Sequence, residues 1–148
     1  MSRRGAKFRS RWHSGDRARN ERRLSSRERF RVRIWDLSPS YLCRQHLLGE
    51  HRELHGLWRI LTEDRLGYAS HPETRRWRGK VAALYVRHEA LVEEMARRGY
   101  RHASPLDQGQ ATGSAVQNDF VDPLEAQFAM LRNKGCECAV PNDENSFG

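Results

Sequence analysis

The chain of 148 residues is long enough for one domain. With 31% charged and 37% hydrophobic residues, its core must be modest, and part of the chain is expected to stay unfolded. No apolar run approaches the ~20 residues that span a bilayer, and no N-terminal stretch has signal-peptide character, so neither a membrane protein nor an exported one is expected. The net charge of +8 suggests a nucleic-acid partner, yet it is unevenly spread. Residues 1–31 carry twelve Lys/Arg against three Asp/Glu, whereas residues 32–148 carry fifteen against sixteen. Any contact with DNA after residue 31 must therefore come from a local patch rather than an overall field.

Residues 1–31, rich in Arg and Ser and without a sustained apolar period, are predicted to form a disordered basic leader. Such an arm would hold phosphates without sequence preference. Alternatively it is not translated in the natural protein: bacterial valine codons can serve as starts, and Val32 would then be the initiator. After it, Ile34, Trp35 and Leu37 form an apolar patch, and Ser38-Pro39-Ser40 reads as a turn with a candidate helix N-cap. Leu47, Leu54, Trp58 and Leu61 recur at helical steps and predict a first helix from about Tyr41 to Leu61. A loop around Gly67 follows.

Ser70 and Glu73 have capping-box spacing, and Pro72 suits a first helical turn. A second long helix is predicted from there to about Arg98, burying Trp77, Val81, Leu84, Tyr85, His88, Leu91, Val92 and Met95 and stopping at Gly99. Residues 102–118 read as loop. Asp122-Pro123-Leu124-Glu125 opens a short third helix with Leu124, Phe128 and Leu131 as its stripe, and residues 135–148 are expected to be a flexible tail. No strand pattern is present. The fold class is therefore all-α: a compact single domain over residues 32–134, with two long helices and a shorter C-terminal one. Three cysteines, Cys43 and the C-x-C pair Cys136 and Cys138, suggest reduced thiols; a metal site would need further well-spaced ligands, and none is predicted.

The most informative stretch is Gln45 to Leu54. His46, Gly49 and Glu53 share one face of the first helix with Arg52 beside them, so an imidazole, a carboxylate and a guanidinium occupy roughly 10 Å of surface. Gly49 costs that helix about 1 kcal/mol relative to alanine and opens a gap another molecule could approach. This stretch, with Gln45-His46-Leu47, Glu50 and Arg52-Glu53-Leu54, resembles the first helix of the pyrimidine-dimer DNA glycosylases, the phage endonuclease V-like family. Leu91, Glu94, Arg98 and Gly99 are similar to the end of that family's central helix. The resemblance covers roughly residues 32 to 101.

The resemblance implies a compact helical DNA-repair enzyme. It would remove the 5′ base of an ultraviolet-induced cyclobutane pyrimidine dimer and then nick the strand as an AP lyase. The implied nucleophile is a terminal α-amine, which has a usable neutral fraction at pH 7 because its pKa is near 8. That amine would belong to Val32, and the assisting carboxylate would be Glu53. The sequence departs from the pattern here, because its first amine is on Met1. Either the chain is trimmed, or translation starts at 32, or the amine-dependent step is lost. Gly56 also falls near a position where the family's phage member has a basic residue.

Arg33, His46 and Arg52 are implied DNA contacts, and Arg76, Arg78 and Lys80 form a generic phosphate-binding run. Trp77 within that run is read as core rather than as a stacking residue, and Glu50 as a structural carboxylate paired with a base. No metal or organic cofactor is implied. The expected partner is double-stranded DNA containing pyrimidine dimers, met by a monomer in the nucleoid-containing cytoplasm. The alternatives are a DNA-binding protein that keeps the fold without the amine, and a nucleic-acid chaperone driven by the leader alone.

Overall fold

The stripe of Leu47, Leu54 and Trp58 winds onto one side of helix α1 (Arg44–Thr62) and is buried there together with Leu57. The computed structural model describes residues 33–63 and 70–141; the leader, Val32, most of the loop around Gly67 and residues 142–148 lie outside them. α1 starts later than its apolar period suggested, because Pro39–Tyr41 forms a separate 3-10 turn capped by Ser38, and Leu42 is extended. Cys43 is the N-cap of α1 and makes no side-chain capping bond.

The second long helix is in fact two, α2 (Pro72–Trp77) and α3 (Val81–Arg97). His71 caps α2 rather than Ser70, its Nδ1 accepting from the Glu73 amide at 3.2 Å. The break falls at Arg78-Gly79-Lys80, where Arg78 is extended and Gly79 takes φ +73°. A distant loop fills the gap. The amides of Ala82 and Ala83 donate to the carbonyls of Thr112 (2.8 Å) and Ser114 (3.0 Å), and the Ser114 amide donates to Gly79 O (2.9 Å). Gly113 comes so close that a Cβ there would sit 2.1 Å from Gly79 O, which excludes every other residue.

α1 and α3 form the main helix pair. Leu47, Leu54, Leu57, Leu84 and Leu91 are fully buried, each contributing about 1.5–3 kcal/mol of transfer free energy. Trp77 is core, as its place in the apolar stripe required. Helix α4 (Leu124–Asn133) buries Leu131 and Gln127, while Leu124 is exposed although it belongs to the predicted stripe. Gly135 ends this helix region with φ +63°. Beyond it, residues expected to fray are held at two points: the Ala139 amide donates to Tyr41 O at 2.8 Å, in the turn before α1, and Arg132 Nη1 of α4 donates to Pro141 O at 2.9 Å. Among the described residues there is no strand, only an isolated bridge between Lys80 and Gly113, so the class is all-α.

Candidate active site

Residues 33–37 belong to no helix, and each is tied to the body of the protein by a side chain from elsewhere. The Arg33 amide donates to Glu53 Oε2 at 2.9 Å. Ile34 O accepts from Arg76 Nη2 at 2.8 Å. The Trp35 amide lies beside the Glu50 carboxylate and favours its charged form. The Asp36 amide donates to Gln127 Oε1 at 2.9 Å, and Leu37 O accepts from Arg87 Nη1 at 2.6 Å. Ile34, Trp35 and Leu37 bury their side chains in the core, so the segment is fixed on both its polar and its apolar side.

Two arginines, buried Arg76 and part-buried Arg87, brace this segment further. Arg76 Nε meets Glu73 Oε2 and its Nη1 meets Asp36 Oδ1, both at 2.8 Å, and Nη1 also donates to Asp119 O at 3.0 Å. Its partners outweigh the cost of burial and hold its guanidinium above the ordinary arginine range. Arg87 grips Glu50 with two bonds, Nε to Oε1 at 2.7 Å and Nη2 to Oε2 at 3.0 Å. Glu50 thus has the basic partner its position called for. Burial pushes the Glu50 carboxyl up, against the pull of Arg87.

Glu53 is half-buried on α1, one residue past the exposed Arg52. Burial raises its pKa above the ordinary glutamate value; the Arg33 amide and Arg52 work against that, and nearby Glu73 works with it. A carboxylate so placed is poised to exchange protons closer to neutrality than a solvated one. On the neighbouring face, His46, Gly49 and Arg52 line an open pocket of about 770 Å³. Nothing lies within 4 Å of where a Gly49 side chain would be, so the gap expected at this glycine is present.

The other expected DNA contacts fare differently. Arg76 is a correction: it is buried, because four inward partners satisfy its planar fork, and it cannot reach a phosphate. Arg33 is only partly exposed; its guanidinium pairs with Asp122 and lies 4.8 Å from the Trp35 ring. Lys80 Nζ is held by Asp119 at 2.6 Å and Gln117 at 2.9 Å. Arg78 and Arg52 are exposed. His46 turns its Nδ1 toward the thiols of Cys43 and Cys138, both at 3.2 Å, and packs edge-on to Trp35. Val32, assigned the amine, lies outside the described residues.

Sequence reasoning missed Arg87 and Gln127, whose partners in and around residues 36–50 are 37 or more residues away and leave no local trace. It also missed two clusters that could hold a metal ion, Cys43 with His46, Cys136 and Cys138, and His51 with His55, His88 and His102.

Residues 32–108 match the family pattern of the pyrimidine dimer DNA glycosylases. The chain belongs to that family. The match begins at the residue that precedes the clamped segment and takes in α1, α2 and α3, so the glycosylase portion contains Glu53 and both arginine pins. A pyrimidine dimer DNA glycosylase has DNA as its substrate. No curated protein and no solved structure matched the chain. No helix among the described residues is long and apolar enough to cross a membrane.

Proposed function

We propose that the protein is a combined glycosylase and AP lyase for cyclobutane pyrimidine dimers, with the α-amine of residue 32 as nucleophile and Glu53 as the assisting carboxylate. One observation carries this: the amide of Arg33 donates to Glu53 Oε2 at 2.9 Å, at the outer end of a segment pinned residue by residue. The nitrogen of residue 32 is one residue further on, no more than about 3.6 Å along the chain. A free amine there would be within reach of Glu53, directly or through one water.

The steps follow from that placement. The neutral amine attacks the sugar C1′ while the bond from C1′ to the base breaks. Glu53 stabilises the positive charge that develops on the sugar and carries protons between amine, sugar oxygen and water. The C1′–O4′ bond then opens, O4′ taking a proton as the nitrogen gives one up, and the Schiff base so formed acidifies the C2′ protons; loss of one expels the 3′ phosphate and nicks the strand. A dimer is poorly stacked, which lowers the cost of extruding a nucleotide. Arg52 and Arg78, both exposed, together with Arg33 and Lys80, would bind phosphates beside the lesion. His46 contributes a wall of the pocket next to Arg52.

This chemistry requires an amine exposed at residue 32, by initiation or by processing. Borohydride trapping on dimer-containing duplex tests it, using one chain beginning at residue 32 as Met and another beginning at Met1. Covalent trapping by the shorter chain alone is expected. In the shorter chain, Glu53→Gln should slow trapping roughly 10²–10⁴-fold, the usual contribution of a positioned acid or base. Failure of both chains to trap would leave a DNA-binding protein without the amine step. Normal trapping by Glu53→Gln would remove that carboxylate from its role.

A further inference from the structure

Cys43 and His46 stand one turn apart at the start of α1, and Cys136 and Cys138 follow α4, more than ninety residues later. The fold brings them together. His46 Nδ1 is 3.2 Å from both Cys43 Sγ and Cys138 Sγ, and the donor atoms of all four residues lie within 4.8 Å of one another. Tetrahedral zinc with Zn–S near 2.3 Å and Zn–N near 2.0 Å sets its ligand atoms about 3.3–3.8 Å apart, close to these separations. The backbone adds a further tie to the group, because the Cys43 amide donates to Cys138 Sγ at 3.1 Å.

A disulfide would use two of the three sulfurs and leave the third, with the imidazole, unaccounted for. The two-plus-two arrangement, C-x2-H with C-x-C, uses all four. We propose that Cys43, His46, Cys136 and Cys138 bind one zinc ion in a closed, structural site that fastens the segment after α4 to the first turn of α1. With no position left open, the ion would stay out of the glycosylase chemistry, which rests on Glu53. It would fix His46 and therefore one wall of the pocket that Arg52 lines.

A second cluster stands on different residues and separate contacts. His51 and His55, one turn apart on α1, meet His88 of α3 and His102 beyond it. Their Nε2 atoms converge: His51 to His55 at 3.2 Å, His55 to His88 at 3.2 Å, and His51 to His102 at 3.1 Å. Apolar packing would bring the rings together by their carbon faces; here four nitrogens point at one small space. Wholly buried His88 also sets its Nδ1 3.0 Å from Glu89 Oε1, the carboxylate contact that orients a metal-ligating imidazole. The geometry points to a second divalent transition-metal site of four nitrogens, suited to zinc, copper or nickel.

Cobalt(II) separates the two sites, because thiolate ligation gives a near-ultraviolet charge-transfer band and imidazole ligation does not. The full chain, stripped of metal under reducing conditions, is titrated with cobalt(II) and then zinc(II), with bound metal counted after gel filtration. About two ions per chain are expected, one of them bringing the thiolate band, which zinc then abolishes. Cys136→Ser with Cys138→Ser should lose the band and keep one ion. His51→Gln with His55→Gln should keep the band and lose one ion.

Circular dichroism of each variant distinguishes a lost ligand from a lost fold, and the wild-type titration decides without any variant. Saturation of folded wild-type chain without a thiolate band overturns the cysteine site. A stoichiometry of one, unchanged by the histidine pair, overturns the histidine site. Either result leaves the trapping reaction untouched, so these sites and the proposed activity fail separately.

Discussion

Two extended segments flank the helices of this protein, and they are secured in opposite ways. Residues 33–37 are tied through backbone atoms by four side chains, one each from α1, α2, α3 and α4. Residues 136–141 have the Ala139 amide on Tyr41 O, the Arg132 bond to Pro141 O and the sulfurs that gather at Cys43 and His46. The first is built into the interior, so the folded protein supplies all that holds it. The second rests on a few part-buried bonds, on Val140 packed against the core and, on the proposal above, on an ion from solution. Only the segment leading to the proposed nucleophile is fixed independently of what the medium provides.

Breaking the internal clamp should have the largest effect. Arg76→Ala leaves Glu73 and Asp36 as buried carboxylates without their cation, and should cost about 3–5 kcal/mol in chemical denaturation. Arg76→Lys should recover only part of that, since one ammonium cannot serve four directions. The C-terminal segment should respond to the medium instead. Zinc at a hundredfold excess over its dissociation constant should stabilise the wild type by about 2.7 kcal/mol and Cys138→Ser by much less, read as the shift in unfolding midpoint. Equal stabilisation of both would erase the contrast.

Acidity probes the outermost pin. The Glu53 carboxyl is raised by burial, so the folded state holds its proton more tightly than the unfolded chain. Its contribution to stability is complete below the ordinary glutamate value and declines as pH rises through the raised one. Glu53→Gln should remove that decline, and the acid limb of the trapping rate should lie above the ordinary glutamate range. The smallest effect belongs to Arg52, which is exposed and takes no part in the clamp. Arg52→Ala should leave stability nearly unchanged and reduce the salt dependence of DNA binding by about one unit of slope.

Local periodicity made α1 readable, and with it the shared face of His46, Gly49 and Arg52, because helical spacing decides which of its residues are neighbours; Glu53, expected on that face, lies beside it and turns to the Arg33 amide. The family likeness singled out Glu53. The break at Gly79 escaped, since Trp77, Val81 and Leu84 keep a helical period across it while the cause is a loop some thirty residues away. Arg76 was misplaced for a related reason: next to Arg75 and Arg78 it looks like surface, and only Asp36, Ile34 O and Glu73 together make an interior position tolerable. The metal-site candidates were hidden in the same way. Their ligands come from separate parts of the chain, and nothing in a C-x-C pair or a pair of histidines on α1 names the partners that complete them.

The loop at Thr112–Ser114 has a consequence for the order of events during synthesis. Most helices carry the group that caps their first turn just ahead of them, so cap and helix leave the ribosome together. Here the acceptors for Ala82 and Ala83 are made some thirty residues after the amides they serve. Until Gly113 has emerged and settled against Gly79, the first turn of α3 lacks those acceptors, and the junction with α2 has only the Lys80 amide on Trp77 O and the packing of Trp77 and Val81. The join between those two helices is therefore completed only after residue 114 has been made.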